Sequence, residues 1–170
     1  MTPQAAVHWT KNPPEEPVGH KLGASSGRLL SIASRLAREA ALLPALADLS
    51  ERCWTRIAES ESYEAWAIGW PPRGSIDLHD HGDSAGAVFV VSGQLTETRL
   101  VRGDGGRTCA EVTSLFAGDS IELPSWCVHD VVNLGSTSAV SIHVYGPKLR
   151  SMTYYSFEGE SLIPLRKVSW

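Results

Sequence analysis

The sequence predicts a mainly β domain, a sandwich or barrel of short strands preceded by one or two α-helices. Beyond Ser50 the chain breaks into short runs rich in Val, Ile, Trp, Tyr and Thr, separated by clusters such as Gly69-Trp70-Pro71-Pro72 and Arg102-Gly-Asp-Gly-Gly106. β-branched and aromatic residues suit a pleated, half-buried surface, and the glycine and proline clusters turn the chain. No helical periodicity lies between those runs, which excludes a doubly wound parallel sheet. A length of 170 residues, of which 42% are hydrophobic, suits one domain with a sizeable core.

The elements follow in order. Residues 1–20 are polar and proline-rich and are expected to form a flexible arm ahead of a domain over 21–170. From Ser25 onward, Leu29, Ile32, Ala33, Leu36 and Ala40 recur at helical spacing, with Arg35, Arg38 and Glu39 off the stripe. This gives one amphipathic helix, or two divided at Pro44, docked on a sheet. Strands are expected at 53–58, 64–70, 75–80, 86–92, 95–101, 107–113, 119–123, 128–133, 138–145 and 161–168.

Composition narrows the function. A net charge of −4 offers no footprint for a phosphate backbone, so nucleic acid is not an expected partner. No run approaches the roughly 18 apolar residues of a spanning helix, so no membrane partner is expected either. Cys53, Cys109 and Cys127 are few and widely spaced, which fits free thiols and a cytoplasmic protein better than a disulfide framework. A monomer or weak homo-oligomer is expected.

The chemistry concentrates in a few segments. In Gly74-Ser-Ile-Asp-Leu-His79-Asp-His81, two histidines two apart on a strand point to one face, so both imidazoles can reach one ion. By itself His-x-His is also compatible with two hydrogen-bonded or exposed histidines. About forty residues later comes Gly118-Asp-Ser-Ile-Glu-Leu-Pro124-Ser-Trp-Cys-Val-His129-Asp-Val-Val-Asn133. Together the two stretches resemble the paired motifs of the cupin superfamily, a double-stranded β-helix or jelly-roll barrel. The resemblance makes His79, His81 and His129 metal ligands. The position where many cupins supply a carboxylate ligand is Gly86, and Asp83 is out of register, so a three-histidine site is implied. Trp126 stands where the second motif usually has a glycine. Three neutral ligands leave the charge of a divalent metal uncompensated and favour an anion such as a thiolate.

In Ser141-Ile-His143-Val-Tyr145 the serine, histidine and tyrosine share a strand face. With the histidine motifs, Gly146-Pro147 and Met152-Thr-Tyr-Tyr155, the chain from about Arg52 to Tyr155 resembles a bacterial-type cysteine dioxygenase. That resemblance implies Fe(II) as cofactor and a small thiol and O2 as substrates, L-cysteine being oxidised to a sulfinic acid. It implies a relay in which Ser141 and His143 support Tyr145 near the metal. Gly86 occupies the position where mammalian members carry a cysteine joined to the tyrosine, so no such crosslink is expected. Arg56 is the expected carboxylate-binding residue, with a surface ion pair as the alternative; Trp70 would line the pocket or the core. Cys127 is open between a soft ligand and a buried hydrophobe. Another small thiol such as 3-mercaptopropionate, or a metal- or ligand-binding cupin without turnover, are the competing functions.

Overall fold

The structure is a computed structural model that describes residues 24–39, 50–102, 108–159 and 161–170. The expected N-terminal arm and a second helix beyond Pro44 lie outside the described residues. One helix, α1 (Ala24–Glu39), is followed by eleven strands: β1 (Cys53–Glu59), β2 (Glu64–Trp70), β3 (Ser75–His79), β4 (Ala85–Ser92), β5 (Gln94–Arg102), β6 (Thr108–Phe116), β7 (Ser120–Leu123), β8 (Val128–Val132), β9 (Ala139–Gly146), β10 (Ser151–Glu158) and β11 (Ser161–Ser169). They form a five-stranded sheet, β1-β2-β9-β4-β7, and a six-stranded sheet, β11-β10-β3-β8-β5-β6. The described strand pairings are antiparallel. The ten expected strands are present, and β10 is one more, outside the expected set.

Strand β9 shows how the five-stranded sheet is built. Every residue from Ala139 to Tyr145 is buried, because both faces of the sheet are covered. Ile142 and Val144 face α1 and pack with Leu29, Ala33, Ala65 and Ala87. Burying each of these larger side chains contributes about 1.5–3 kcal/mol. The intervening Ser141, His143 and Tyr145 point the other way, between the sheets. Small residues on β2 and β4, Ala65, Ala67 and Ala87, are fully buried and let the helix approach closely. Solvent-facing Arg35 pairs with Glu39 at 3.0 Å, one helical turn on.

The six-stranded sheet supplies the opposite wall. His79 of β3 lies directly across from His129 of β8 and from Tyr154 of β10. Tyr154 in turn pairs with Arg166 of β11, and His129 with Arg99 of β5. One transverse row, Arg166, Tyr154, His79, His129, Arg99, therefore crosses five strands on a single face.

Turn geometry holds this register. Gly93, at the β4–β5 turn, has φ +75°, and a Cβ there would lie 2.7 Å from Ala139 Cα and 2.8 Å from the Ser138 carbonyl oxygen. Gly118 has φ +97° with no atom within 4 Å of that position. Gly118→Ala should thus incur backbone strain alone, about 1–3 kcal/mol, whereas Gly93→Ala adds a backbone collision and should destabilise clearly more. Urea unfolding of the two variants checks this; equal losses would contradict it.

Candidate metal centre

His79, His81 and His129 converge between the sheets. Each is at most 3% exposed, and one ring nitrogen from each lies within 4.8 Å of the others. His79 Nε2 and His81 Nε2 are 3.1 Å apart. That is the separation of two nitrogens sharing one ion at about 2.1 Å and near a right angle. The second nitrogen of two of these rings is occupied: His79 Nδ1 meets the Asp77 carbonyl oxygen at 2.8 Å, and His129 Nδ1 meets Glu97 Oε1 at 2.7 Å. A backbone carbonyl can only accept, so His79 carries its proton on Nδ1 and presents a bare Nε2. His129 Nε2 is buried and has no hydrogen-bond partner. Buried polar atoms without partners are rare, and here a divalent metal fits the donor set.

The chain between His79, the last residue of β3, and His81 is clamped by Asp80. Its Oδ1 accepts from the backbone N–H groups of Gly82 and Thr153, both at 3.0 Å. Its Oδ2 accepts from the Tyr155 hydroxyl at 2.6 Å. The residue between the histidines thus ties them to β10. The sequence signal was Met152-Thr-Tyr-Tyr155, whose aromatic residues suit a strand but whose short span did not alternate clearly. Asn133, wholly buried, holds the other end: its Nδ2 lies 2.9 Å from the Trp70 carbonyl oxygen and 2.8 Å from that of Thr137, bracing the β2–β3 connection against the loop after β8.

Across from the histidines, on β9, stands a hydrogen-bonded series. The Trp70 indole N–H donates to Ser141 Oγ at 2.8 Å, Ser141 Oγ lies 2.9 Å from His143 Nε2, and His143 Nδ1 lies 3.2 Å from the Tyr145 hydroxyl. Indole can only donate, so Ser141 accepts there and its own hydrogen has one buried destination, His143 Nε2. A neutral His143 then donates from Nδ1 to the Tyr145 oxygen, leaving the phenolic hydrogen free to point elsewhere. The Tyr145 ring is 4.8 Å from that of His81, centroid to centroid. Burial pushes the Tyr145 pKa up, so the phenol keeps its proton. Trp70, open in the sequence between pocket and core, does both, anchoring the series and lining the cavity. Gly86 lies against this tyrosine: a Cβ there would be 3.1 Å from Tyr145 Cδ1.

A cavity of about 490 Å³ opens onto this site, lined among others by Arg52, Trp54, Trp66, Trp70, His79, His129, Tyr145, Tyr154 and Arg166. Arg56, the expected carboxylate ligand, is not among its lining residues. Its guanidinium is half exposed and pairs with Glu59 at 3.2 Å and Glu64 at 4.0 Å. Arg52 reaches the cavity instead, its guanidinium carbon 5.1 Å from the Trp54 ring centre and 5.2 Å from that of Trp70. Burial lowers its pKa, partly offset by Tyr154, Tyr145 and Asp77. The two arginines share strand parity, and Arg56 lies opposite Trp66 while Cys53 lies opposite Gly69. Four residues of strand separate the two by about 13 Å, and spacing to the histidine pair could not choose between them. Cys127 joins Glu97 and His129 in a second cluster, which shares His129 with the three-histidine group. It is wholly buried, and burial pushes its thiol up to about 12, so it behaves as an apolar thiol.

Comparison with known proteins agrees with this geometry. A family model described as cysteine dioxygenase type I matches residues 32–158. Among solved structures, the cupin domain of Schizosaccharomyces pombe Cnp3 is similar at 11% identity and a TM-score of 0.51, over 61% of this chain and 66% of that one. Oxalate oxidase in complex with the substrate analogue glycolate is similar at 18% identity and a TM-score of 0.50, over 59% of this chain and 53% of that one. This chain thus covers less than two thirds of each of those structures, and the likeness to the Cnp3 cupin domain shows the cupin architecture.

Burial also sets the response to acid. It lowers His79 to about 4 and His143 to about 3, and holds His81 and His129 well below the ordinary value. Each histidine is then neutral in the fold but protonates near 6.5 when unfolded. Their contribution to stability is therefore intact above about 6.5 and is lost as pH falls toward about 4, by up to about 1.4 kcal/mol per pH unit for each group. Metal-free protein should show a thermal midpoint that is flat from pH 8 to 7 and drops steeply below about pH 6. A midpoint constant down to pH 5 would refute the buried neutral cluster.

Proposed function

We propose, because this chain belongs to the cysteine dioxygenase type I family of cupins, that its cavity converts a small thiol carboxylic acid, L-cysteine in the first instance, to the sulfinic acid with O2. The reaction balances without an external reductant: R–SH and O2 give R–SO2H, both oxygen atoms bonding to sulfur. The observation that carries the reading is the meeting of a three-histidine cluster on one sheet with the Trp70-Ser141-His143-Tyr145 series on the other. In it, His79, His81 and His129 hold the metal, proposed as Fe(II). Iron bound there would supply Lewis acidity toward the thiol sulfur and one-electron chemistry toward O2.

The chain's own residues do the rest. Arg52 binds the carboxylate, its planar fork suited to a bidentate pair in a cavity walled by Trp54 and Trp70. It makes no ion pair among the described residues, so an incoming carboxylate meets a cation without a competing partner. Tyr145, kept protonated and with its hydrogen free, donates to the reacting groups, while His143 and Ser141 hold the phenol oxygen in place. Tryptophan walls exclude water and strengthen each of these contacts.

A second reading, a dioxygenase for an amine-free thiol acid such as 3-mercaptopropionate, draws on one feature. Among the described residues lining the cavity are two arginines and no Asp or Glu, so the ammonium group of cysteine has no anionic side chain to meet. It would have to be accommodated at the metal.

Oxygen uptake by the Fe(II)-loaded protein with L-cysteine, 3-mercaptopropionate, cysteamine and mercaptosuccinate, with sulfinate identified by mass, separates these readings. Uptake with cysteine supports the first. Uptake with 3-mercaptopropionate alone selects the second, and silence with iron bound points to a cupin without turnover. Within that assay Arg52→Ala should raise KM for carboxylate thiols about ten-fold or more with little change toward cysteamine, while Arg56→Ala stays near wild type. Equal effects of the two substitutions would remove Arg52 from its role. Tyr145→Phe should retain iron and lower turnover about ten-fold or more; normal turnover would remove the tyrosine from the chemistry.

A further inference from the structure

Beside the three-histidine cluster lies a buried ionic pair that the proposed reaction does not use. Glu97, on β5, is 3% exposed. Its Oε1 is 2.7 Å from His129 Nδ1. Arg99 Nη2 donates to Oε1 at 3.0 Å, to Oε2 at 3.1 Å, and to the Glu122 carbonyl oxygen at 3.1 Å. The three ligand histidines are thereby distinguished. His79 rests on a neutral backbone carbonyl, His81 Nδ1 has no partner, and His129 alone rests on a carboxylate.

We propose that Glu97 is a positioning residue for the metal centre: held by Arg99, its carboxylate fixes His129 as the Nδ1–H tautomer and so presents a bare Nε2 to the ion. The inference rests on the three-histidine site. A carboxylate accepts, so the proton it faces is on Nδ1; a neutral imidazole has only one N–H, so Nε2 must carry a lone pair. That is the nitrogen left buried and without partner. Carboxylates in this relation to a ligand histidine orient the ring and raise its basicity. Here the carboxylate also returns negative charge to a site of neutral ligands without occupying a coordination position. The cross-strand register makes this possible. Arg99 lies opposite His129, and Glu97, two residues earlier on the same face, reaches the imidazole from the side away from the cavity, whose lining does not include it.

Glu97→Gln tests the proposal. The amide oxygen should take the Arg99 hydrogen bonds, leaving the NH2 group to donate to His129 Nδ1 and drive the proton to Nε2. Long-range 1H–15N correlation of the histidine rings in metal-free protein should show His129 as Nδ1–H in the wild type and as Nε2–H in the variant. Co(II) affinity, measured by competition with a chromophoric chelator, should fall about 10- to 100-fold. The double variant Glu97→Leu/Arg99→Leu, which removes the acceptor facing His129 Nδ1 and leaves no unpaired cation, provides a folded comparison if the single variant is unstable, and it too should bind Co(II) at least ten-fold more weakly. Retention of the Nδ1–H tautomer with unchanged Co(II) affinity in either variant overturns the proposal. Failure of the wild type to bind Co(II) overturns the three-histidine site itself, and the tautomer measurement then still decides whether Glu97 sets the ring.

Discussion

The site depends first on a register. His79 and His129 are direct cross-strand partners, and that pairing places two imidazoles side by side before any metal is considered. Side chains on a strand alternate with period two, so a slip of one residue between β3 and β8 would send one histidine to the opposite face. The same transverse row carries Tyr154 and Arg166 to one side and Arg99 to the other. It therefore sets the cavity wall and the support behind the ligands at once. Asp80 and Asn133 are the fasteners of this register. Asp80 takes the amides of Gly82 and Thr153 and the Tyr155 hydroxyl, and Asn133 the carbonyls of Trp70 and Thr137.

The electrostatic character follows from burial. Four neutral imidazoles and a protonated phenol sit in the dry space between two sheets, with cations in the cavity wall and the buried carboxylate of Glu97 behind a ligand. In a medium of low effective dielectric the placement of each charge weighs more than in water. A site so arranged favours an anion entering from the cavity side. Two of the three clustered rings are held from the protein side, His79 by a carbonyl and His129 by a carboxylate.

Much of this was legible in the sequence, and the reasons are specific. His79, His81 and His129 could be read from their motif spacing, although β3 ends at His79 and its register with β8 shifts between Ile76 and His79. Ser141, His143 and Tyr145 were legible from their period-two alternation, and the structure joins them in one hydrogen-bonded series. That Arg52 rather than Arg56 lines the cavity was not legible, since Arg52 stands just before β1 and Arg56 within it at equal parity, a difference that spacing to a remote motif measures too coarsely. Glu97 carried no local signal: it is one acid in a strand that also holds Thr96, Thr98 and Arg99, and its meaning arises only when β5 pairs with β8. Strand β10 was missed because Met152 to Tyr155 is a short run of mostly apolar residues without a clear polar alternation; the structure places it by pairing along β11 and by the Asp80 bonds to Thr153 and Tyr155. The expected arm over residues 1–20 lies outside the described residues.

The two halves of the site belong to different sheets, and this gives it a mechanical character. The histidines move with β3 and β8, whereas Tyr145 and the groups behind it move with β9. Each half is internally stiff, held by ladder hydrogen bonds and by its own side-chain partners. The gap between the sheets is set by packing of residues such as Val90, Leu95 and Leu115, which belong to neither half. The spacing between phenol and ligand cluster therefore behaves as a single adjustable dimension. A core substitution far from either half, by thinning or thickening the sandwich, would tune that dimension without disturbing the bond geometry within either set.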